Sequence, residues 1–315
     1  MSVYNDDISY FKKLIDDSLI NVYTDGPKLL LDPINHIILG GKRLRPILLL
    51  LVNKSLNGKQ ENAINCAISV ELLHIFSLIH DDIMDNDNIR HSKKTIHSKW
   101  NIPIAILAGD AILGLAFNGL NKVKNEIKEL FNSALIAVCE GQALDIEYES
   151  LNKISLDCYI KMIDLKTGHM IALCMSVGSI TATDDQNIVD EMKSIGVCIG
   201  RAFQIQDDLL EVTSNSTIMG KNVDSDILLN KKTFLTVYAF EKIPDKIDFL
   251  KNEYKNDSSQ IVEKYKKLLH EEGIVKDARL YIDKILNDAE SKLKRINLND
   301  NCLDEFINYV KVRKC

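Results

Sequence analysis

Proline is scarce in this chain. The 315 residues include five, at positions 27, 33, 46, 103 and 244, and none falls between Ile104 and Ile243. A long span without the residue that breaks helices favours long helices. Apolar residues there recur at three and four, as in Leu107, Ala111 and Leu115, or Ile171, Cys174, Met175 and Gly178. Strand-like alternation bounded by hairpin turns is lacking, and so are a fixed-period repeat and a low-complexity linker. One all-α domain over residues 1–315 is therefore expected. The seven cysteines contain no CxxC pair, which fits buried free thiols in a reducing, cytoplasmic setting better than disulfides or structural zinc. No uninterrupted apolar stretch reaches transmembrane length. The opening MSVYNDDISYFKK carries no basic-then-apolar secretion signal, and Cys315, standing last, makes no prenylation box. With a net charge of −6 and no long basic tract, a nucleic-acid partner is not expected. An anionic ligand would need local basic groups or metal ions.

What is present is an apolar majority for a core, 46% of residues, and one stretch around which the rest is organised, His74 to Arg90, HIFSLIHDDIMDNDNIR. Its first half is apolar, while Asp81, Asp82, Asp85 and Asp87 crowd the second, with Glu71 just upstream. A helix over Asn62 to Asp85 puts Asp81 and Asp85 on one face and Asp82 about 100° round. Like charges at that spacing need compensation, although an ordinary solvated helix end could tolerate them. An EF-hand is excluded, because Ile89, Arg90 and Ile96 stand where a ligand, the turn glycine and the last glutamate belong. The NDN run at 86–88 is expected to end the helix and let Arg90 turn back toward the carboxylates.

Other segments add to this. A first helix is expected over Asp7 to Tyr23, and a second ending at Gly40-Gly41. GGKRLRPILLLLV then places Lys42, Arg43 and Arg45 at the N-terminal end of an apolar helix, with Pro46 in its first turn. Three cations beside exposed backbone N–H groups make an anion site; the alternative is a basic loop beside a core helix. GQALDIEYE sets Gln142 and Asp145 one turn apart, and KTGHM puts Lys166 and Thr167 in mid-helix within an apolar stretch. GRAFQIQDDLLEV repeats the acidic pattern, with Asp207 and Glu211 four apart and Asp208 beside the first, followed by Lys221, Lys231 and Lys232. Paired carboxylates with open coordination positions suit magnesium shared with substrate phosphates, and Lys and Arg grip phosphate directly. A ligand with a diphosphate head and a hydrocarbon tail matches that polarity.

Taken in order, GGKRLRP, ELLHIFSLIHDDIMD, the Arg90 segment, GDAIL, GQALD, KTG, FQIQDDLLE and GKNVDSD with KKT resemble the trans-isoprenyl diphosphate synthases, the family that makes farnesyl, geranylgeranyl and longer prenyl diphosphates. The resemblance implies an all-α bundle of about a dozen helices around a deep central cavity, usually a homodimer. It implies that an allylic diphosphate ionises, isopentenyl diphosphate attacks the cation, and a proton is lost to the departing diphosphate. Apolar walls would keep water from the cation. About three magnesium ions would bind with the allylic diphosphate, held by Asp81 and Asp85 with Asp82 supporting, and by Asp207 with Asp208 and Glu211 behind. Lys42, Arg45 and His74 match the isopentenyl diphosphate site. Arg90, Lys166, Thr167, Gln204, Lys221 and Lys231 match positions that hold the allylic diphosphate, with Arg90, Lys166 and Thr167 as catalytic residues.

Two positions depart from the family pattern. Arg90-His91-Ser92 replaces the usual arginine pair and glycine, so a titratable His91 stands for one cation of the isopentenyl diphosphate site. Glu211 replaces an Asp in the second motif. Chain length is expected from Phe76 and Ser77, five and four residues before Asp81 and about 6–7.5 Å back along the helix. A bulky ring beside a small neighbour resembles short-chain synthases, with the C20 product first and C15 next. A class I terpene cyclase would lack GGKRLRP, and a non-catalytic regulatory subunit would lose acidic motifs that this chain keeps.

Overall fold

The computed structural model describes residues 3–213, 231–253 and 258–313. Among them every regular element is helical apart from one hairpin of two two-residue strands, which bears out the all-α expectation. In chain order the elements are α1 (Val3–Leu19), α2 (Lys28–Ile38), α3 (Leu44–Ser55), α4 (Gln60–Met84), β1 (Ile89–Arg90), β2 (Lys93–Lys94), α5 (Ile96–Lys99), α6 (Ile102–Asn118), α7 (Asn125–Glu149) and α8 (Leu156–Ile163). A π-helical turn, Asp164–Gly168, leads into α9 (His169–Ile180) and α10 (Gln186–Thr213). There follow α11 (Phe234–Lys242), α12 (Pro244–Glu253), α13 (Ser258–Glu271), α14 (Ile274–Leu293) and α15 (Cys302–Val312). Side-chain caps start several of them. Asn101 accepts from the Ile104 N–H at 2.9 Å, Ser155 from Cys158 at 3.2 Å and Thr233 from Thr236 at 3.3 Å.

The chain divides into two compact units. The first comprises residues 1–136, 170–196 and 292–306. Its centre is α3, whose run from Ile47 to Val52 is fully buried, as an unbroken apolar segment must be. α1 and α4 pack against it, and Asn53 Nδ2 donates to Thr181 Oγ1 just past α9 at 3.0 Å. α4 in turn packs along α6. By length and composition α4 could cross a membrane, but 56% of its apolar window is buried in the core. The second unit comprises residues 137–169, 197–291 and 307–315. Phe234 on α11 forms its aromatic centre, with ring centroids 6.1 Å from Tyr159, 5.6 Å from Tyr238 and 5.1 Å from Tyr281.

Four local features differ from the sequence expectations. α1 ends at Leu19 and not Tyr23, and α4 covers 60–84 with Asp85 as its C-cap. The hairpin was invisible to periodicity because each strand is two residues long; its turn is His91-Ser92, both left-handed with φ of 48° and 61°. Lys166 and Thr167 lie in the π-helical turn and not in a regular α-helix.

One buried ion cluster binds three helices of the first unit together. The Arg43 guanidinium donates to Asp16 Oδ1 and Glu71 Oε1, each at 2.8 Å, and to the Ile38 carbonyl. Its side chain is 3% exposed and that of Glu71 is 5%, so removing the cation would strand a buried carboxylate. Arg43→Met is expected to lower unfolding stability by about 3–5 kcal/mol, and adding Glu71→Leu to recover part of it. Urea denaturation measures both; a wild-type midpoint for Arg43→Met would show that Glu71 finds water.

Candidate active site

In the first unit the acidic end of α4 sorts its carboxylates by direction. Asp82, turned about 100° from Asp81, is 2% exposed and accepts Arg90 Nε at 2.5 Å, while Arg90 Nη2 lies 3.8 Å from Asp87. The helix ends at Met84 and the hairpin carries Arg90 back over it, as its polar NDN run predicted. Asp85 is exposed, has no ion pair among the described residues, and sits one turn beyond Asp81, whose carbonyl accepts its N–H at 2.8 Å.

Beside this end lie the basic residues of GGKRLRP. Arg45 Nη1 donates to His74 Nε2 at 2.9 Å. Burial holds the imidazole well below its usual range, and the neighbouring charges of Arg45, Arg90, His91 and Arg43 push the same way. His74 is therefore a neutral acceptor, and the first unit brings Arg45, His74, Arg90 and His91 together. Lys42 is exposed and unpaired among the described residues. Lower on α4, the Phe76 ring packs 4.5 Å from His80, whose Nδ1 lies 3.2 Å from the Phe76 carbonyl. Ser77 donates to the His74 carbonyl at 2.8 Å.

In the second unit, Asp208 is the buried member of its motif. It accepts the Tyr159 hydroxyl at 2.5 Å, the Phe234 N–H at 2.7 Å and Gln204 Nε2 at 3.1 Å. Burial pushes its carboxyl up to about 7 despite those donors, with Asp207 adding to the rise, and burial beside Asp208 drives the Tyr159 phenol well above its usual value. Thr167 Oγ1 donates to Gln204 Oε1 at 3.0 Å, so Thr167, Gln204 and Asp208 form one hydrogen-bonded chain. Asp207 is more open and pairs with Arg313 Nη1 at 2.6 Å, whose guanidinium stacks 4.3 Å from the Phe203 ring. Lys166 Nζ binds Asp145 at 2.7 Å.

Close backbone approach fixes the π-helical turn that carries Lys166 and Thr167. A Cβ on Gly141 of α7 would fall 2.5 Å from the Lys166 nitrogen, and one on Gly200 of α10 2.7 Å from the Gly168 Cα. Next to Gly141, Gln142 is buried and both its amide atoms lack a partner among the described residues. Sequence reading placed Gln142 near Asp145 without a role; an unsatisfied amide at this depth marks a place for a polar ligand or water. Tyr159 and Arg313, from distant parts of the chain, carried no local signal. Lys231 lies two residues before the Thr233 cap of α11 and is half-buried, whereas Lys221 lies outside the described residues.

The donor chemistry suits a hard divalent cation: Asp81 and Asp85 stand one turn apart at the end of α4, and such a carboxylate pair leaves coordination positions for water and phosphate oxygens.

The polyprenyl synthetase family profile matches residues 27–271. The chain is 37% identical over 243 residues to the short chain isoprenyl diphosphate synthase of Methanothermobacter thermautotrophicus, covering 75% of each. It is 36% identical over 222 residues to the geranylfarnesyl diphosphate synthase of Natronomonas pharaonis, covering 64% of this chain and 65% of that one. The crystal structure of geranylgeranyl pyrophosphate synthetase from Pyrococcus horikoshii superposes with a TM-score of 0.91 at 31% identity, covering 99% of this chain and 100% of the other.

Removing the Tyr159 hydroxyl leaves Asp208 one donor short in a buried place. Tyr159→Phe is expected to cost about 1–3 kcal/mol of stability, read as a lower urea midpoint; an unchanged midpoint would show that the remaining donors suffice.

Proposed function

The chain belongs to the polyprenyl synthetase family and is a short-chain prenyl diphosphate synthase, and on that premise we propose that it condenses isopentenyl diphosphate with dimethylallyl, geranyl or farnesyl diphosphate, making geranylgeranyl diphosphate (C20) first and farnesyl diphosphate (C15) next. The reading rests on one observation, the division of each acidic motif into a buried, clamped carboxylate and a more open one. Asp81 and Asp85, and Asp207, are the residues to hold magnesium, with Asp82 and Asp208 stiffening the helices beneath them. Magnesium, when bound, supplies the charge that draws the diphosphate off the allylic carbon.

The chain's own groups do the rest. Lys42 and Arg45 bind the isopentenyl diphosphate head, and neutral His74 orients Arg45. Arg90, anchored through Nε, offers its remaining N–H groups to the allylic diphosphate. Lys166, held by Asp145, and Thr167, held by Gln204, steady the developing cation. Asp207, paired here with Arg313, would be the ligand from the second motif. Phe76, braced by His80, closes the hydrocarbon channel. Ser77 lies one turn before Asp81, on its face, and leaves space above the ring. Identity near 36% to a synthase named for a C25 product leaves chain length to such side chains.

A homodimer is also proposed. On α6, Ile102, Ile106 and Leu107 are 51%, 41% and 57% exposed, an apolar face that suits a second copy. Sedimentation should give twice the monomer mass, and Leu107→Glu should halve it; a wild-type monomer at micromolar concentration would refute the dimer.

The deciding assay incubates purified protein with magnesium, isopentenyl diphosphate and each allylic starter, then identifies the extracted alcohols. Geranylgeraniol is expected to dominate, chelation to abolish it, and Phe76→Ala to lengthen the product. No elongation from any starter would overturn the reading, while unchanged product length in Phe76→Ala would place the floor elsewhere.

A further inference from the structure

The hairpin β1-β2 carries the cations Arg90 and Lys93. Its register sets Arg90 directly opposite Lys93, and residues opposite one another in an antiparallel pair share a face. Two positive charges in that arrangement repel, so the pairing is unfavourable unless an anion lies between or beside them. Arg90 is steadied by Asp82 and Asp87. Lys93 is not paired with a carboxylate among the described residues; it is exposed, and its Nζ donates to the Leu39 carbonyl at 3.0 Å.

That contact lays the ammonium group on the loop preceding α3. A Cβ on Gly40 would come within 3.7 Å of Lys93 Nζ. Gly40 and Gly41 adopt φ of 108° and 96°, conformations that need glycine, and they lead into Lys42 and Arg45. The hairpin is fastened there independently of Lys93, since His36 Nε2 donates to the Lys94 carbonyl at 2.8 Å and Lys99 Nζ approaches His36 Nδ1 at 3.3 Å. The neighbouring Arg43 cannot serve, because it is buried and its guanidinium is turned onto Asp16, Glu71 and the Ile38 carbonyl. His91 itself lies in the two-residue turn, outside the ladder.

We propose that Lys93 binds the diphosphate of isopentenyl diphosphate, supplying together with Lys42 and Arg45 a permanent positive charge beside the turn that carries His91. The proposal rests on the reaction assigned above. An ammonium group has three donors, so the bond to Leu39 leaves two for phosphate oxygens. Its charge also persists where an imidazole's does not.

Isothermal titration of isopentenyl diphosphate into the intact protein tests this. Lys93→Gln keeps a donor for the Leu39 carbonyl and loses the charge, so affinity should fall at least about tenfold, with affinity for the allylic diphosphate and the melting temperature unchanged. Lys93→Arg should bind like wild type, and His91→Arg with Lys93→Gln should regain most of the loss. Wild-type binding by Lys93→Gln would overturn the role of Lys93 alone, and equal weakening toward both substrates would show that Lys93 merely holds the loop. A wild-type protein that neither binds nor elongates isopentenyl diphosphate would overturn the assigned reaction as well.

Discussion

A buried carboxylate persists as a charge only where donors or cations meet it, and most of this protein's chemistry follows from how that demand is satisfied. Each acidic motif begins with two adjacent aspartates, and adjacent helical residues point about 100° apart. One must then turn inward. In α4 it is Asp82, met by Arg90; in α10 it is Asp208, met by Tyr159, the Phe234 N–H and Gln204. The partners differ because the environments do. At Asp82 an arginine from a returning hairpin supplies the charge, whereas in the aromatic centre around Phe234 neutral donors meet Asp208 and the carboxyl rises to about 7.

The same division explains why the motif residues differ in reach. An inward aspartate locks a neighbouring segment: Arg90 brings the hairpin onto α4, and Asp208 joins the start of α11 to α10. The outward aspartates then project from helices that cannot easily shift. Compensation is thus also positioning. The more open Asp207 is met by Arg313, whose guanidinium lies over the face of Phe203.

Much of this was legible in the sequence. The missing prolines and the three-four spacing gave the helices, the four-residue interval gave the shared face of Asp81 and Asp85, and the NDN run gave the return of Arg90. What escaped reading was long-range or too short to have a period. Tyr159 lies 49 residues from Asp208, and Arg313 lies 106 from Asp207; no spacing rule joins them. The hairpin has two residues per strand, below any alternation. The π-helical turn at Lys166 depends on backbone contact with Gly141 and Gly200, which a sequence shows only as two glycines among many.

The ion-paired clamps also fix the spacing of side chains along α4. Glu71, His74, Phe76, Ser77, His80, Asp81 and Asp82 all belong to α4, so their separations follow its rise of about 1.5 Å per residue. Arg43 grips this helix at Glu71 and Arg90 grips it at Asp82, near either end of the stretch. Sliding the helix would break both ion pairs, so Phe76 and Asp81 keep a fixed separation. His80 supports the ring from one turn further on. Its imidazole packs at a tilt against Phe76 and fills the notch at Gly109, where an added Cβ would lie 2.3 Å from the imidazole, so even a methyl group on α6 would be transmitted to Phe76.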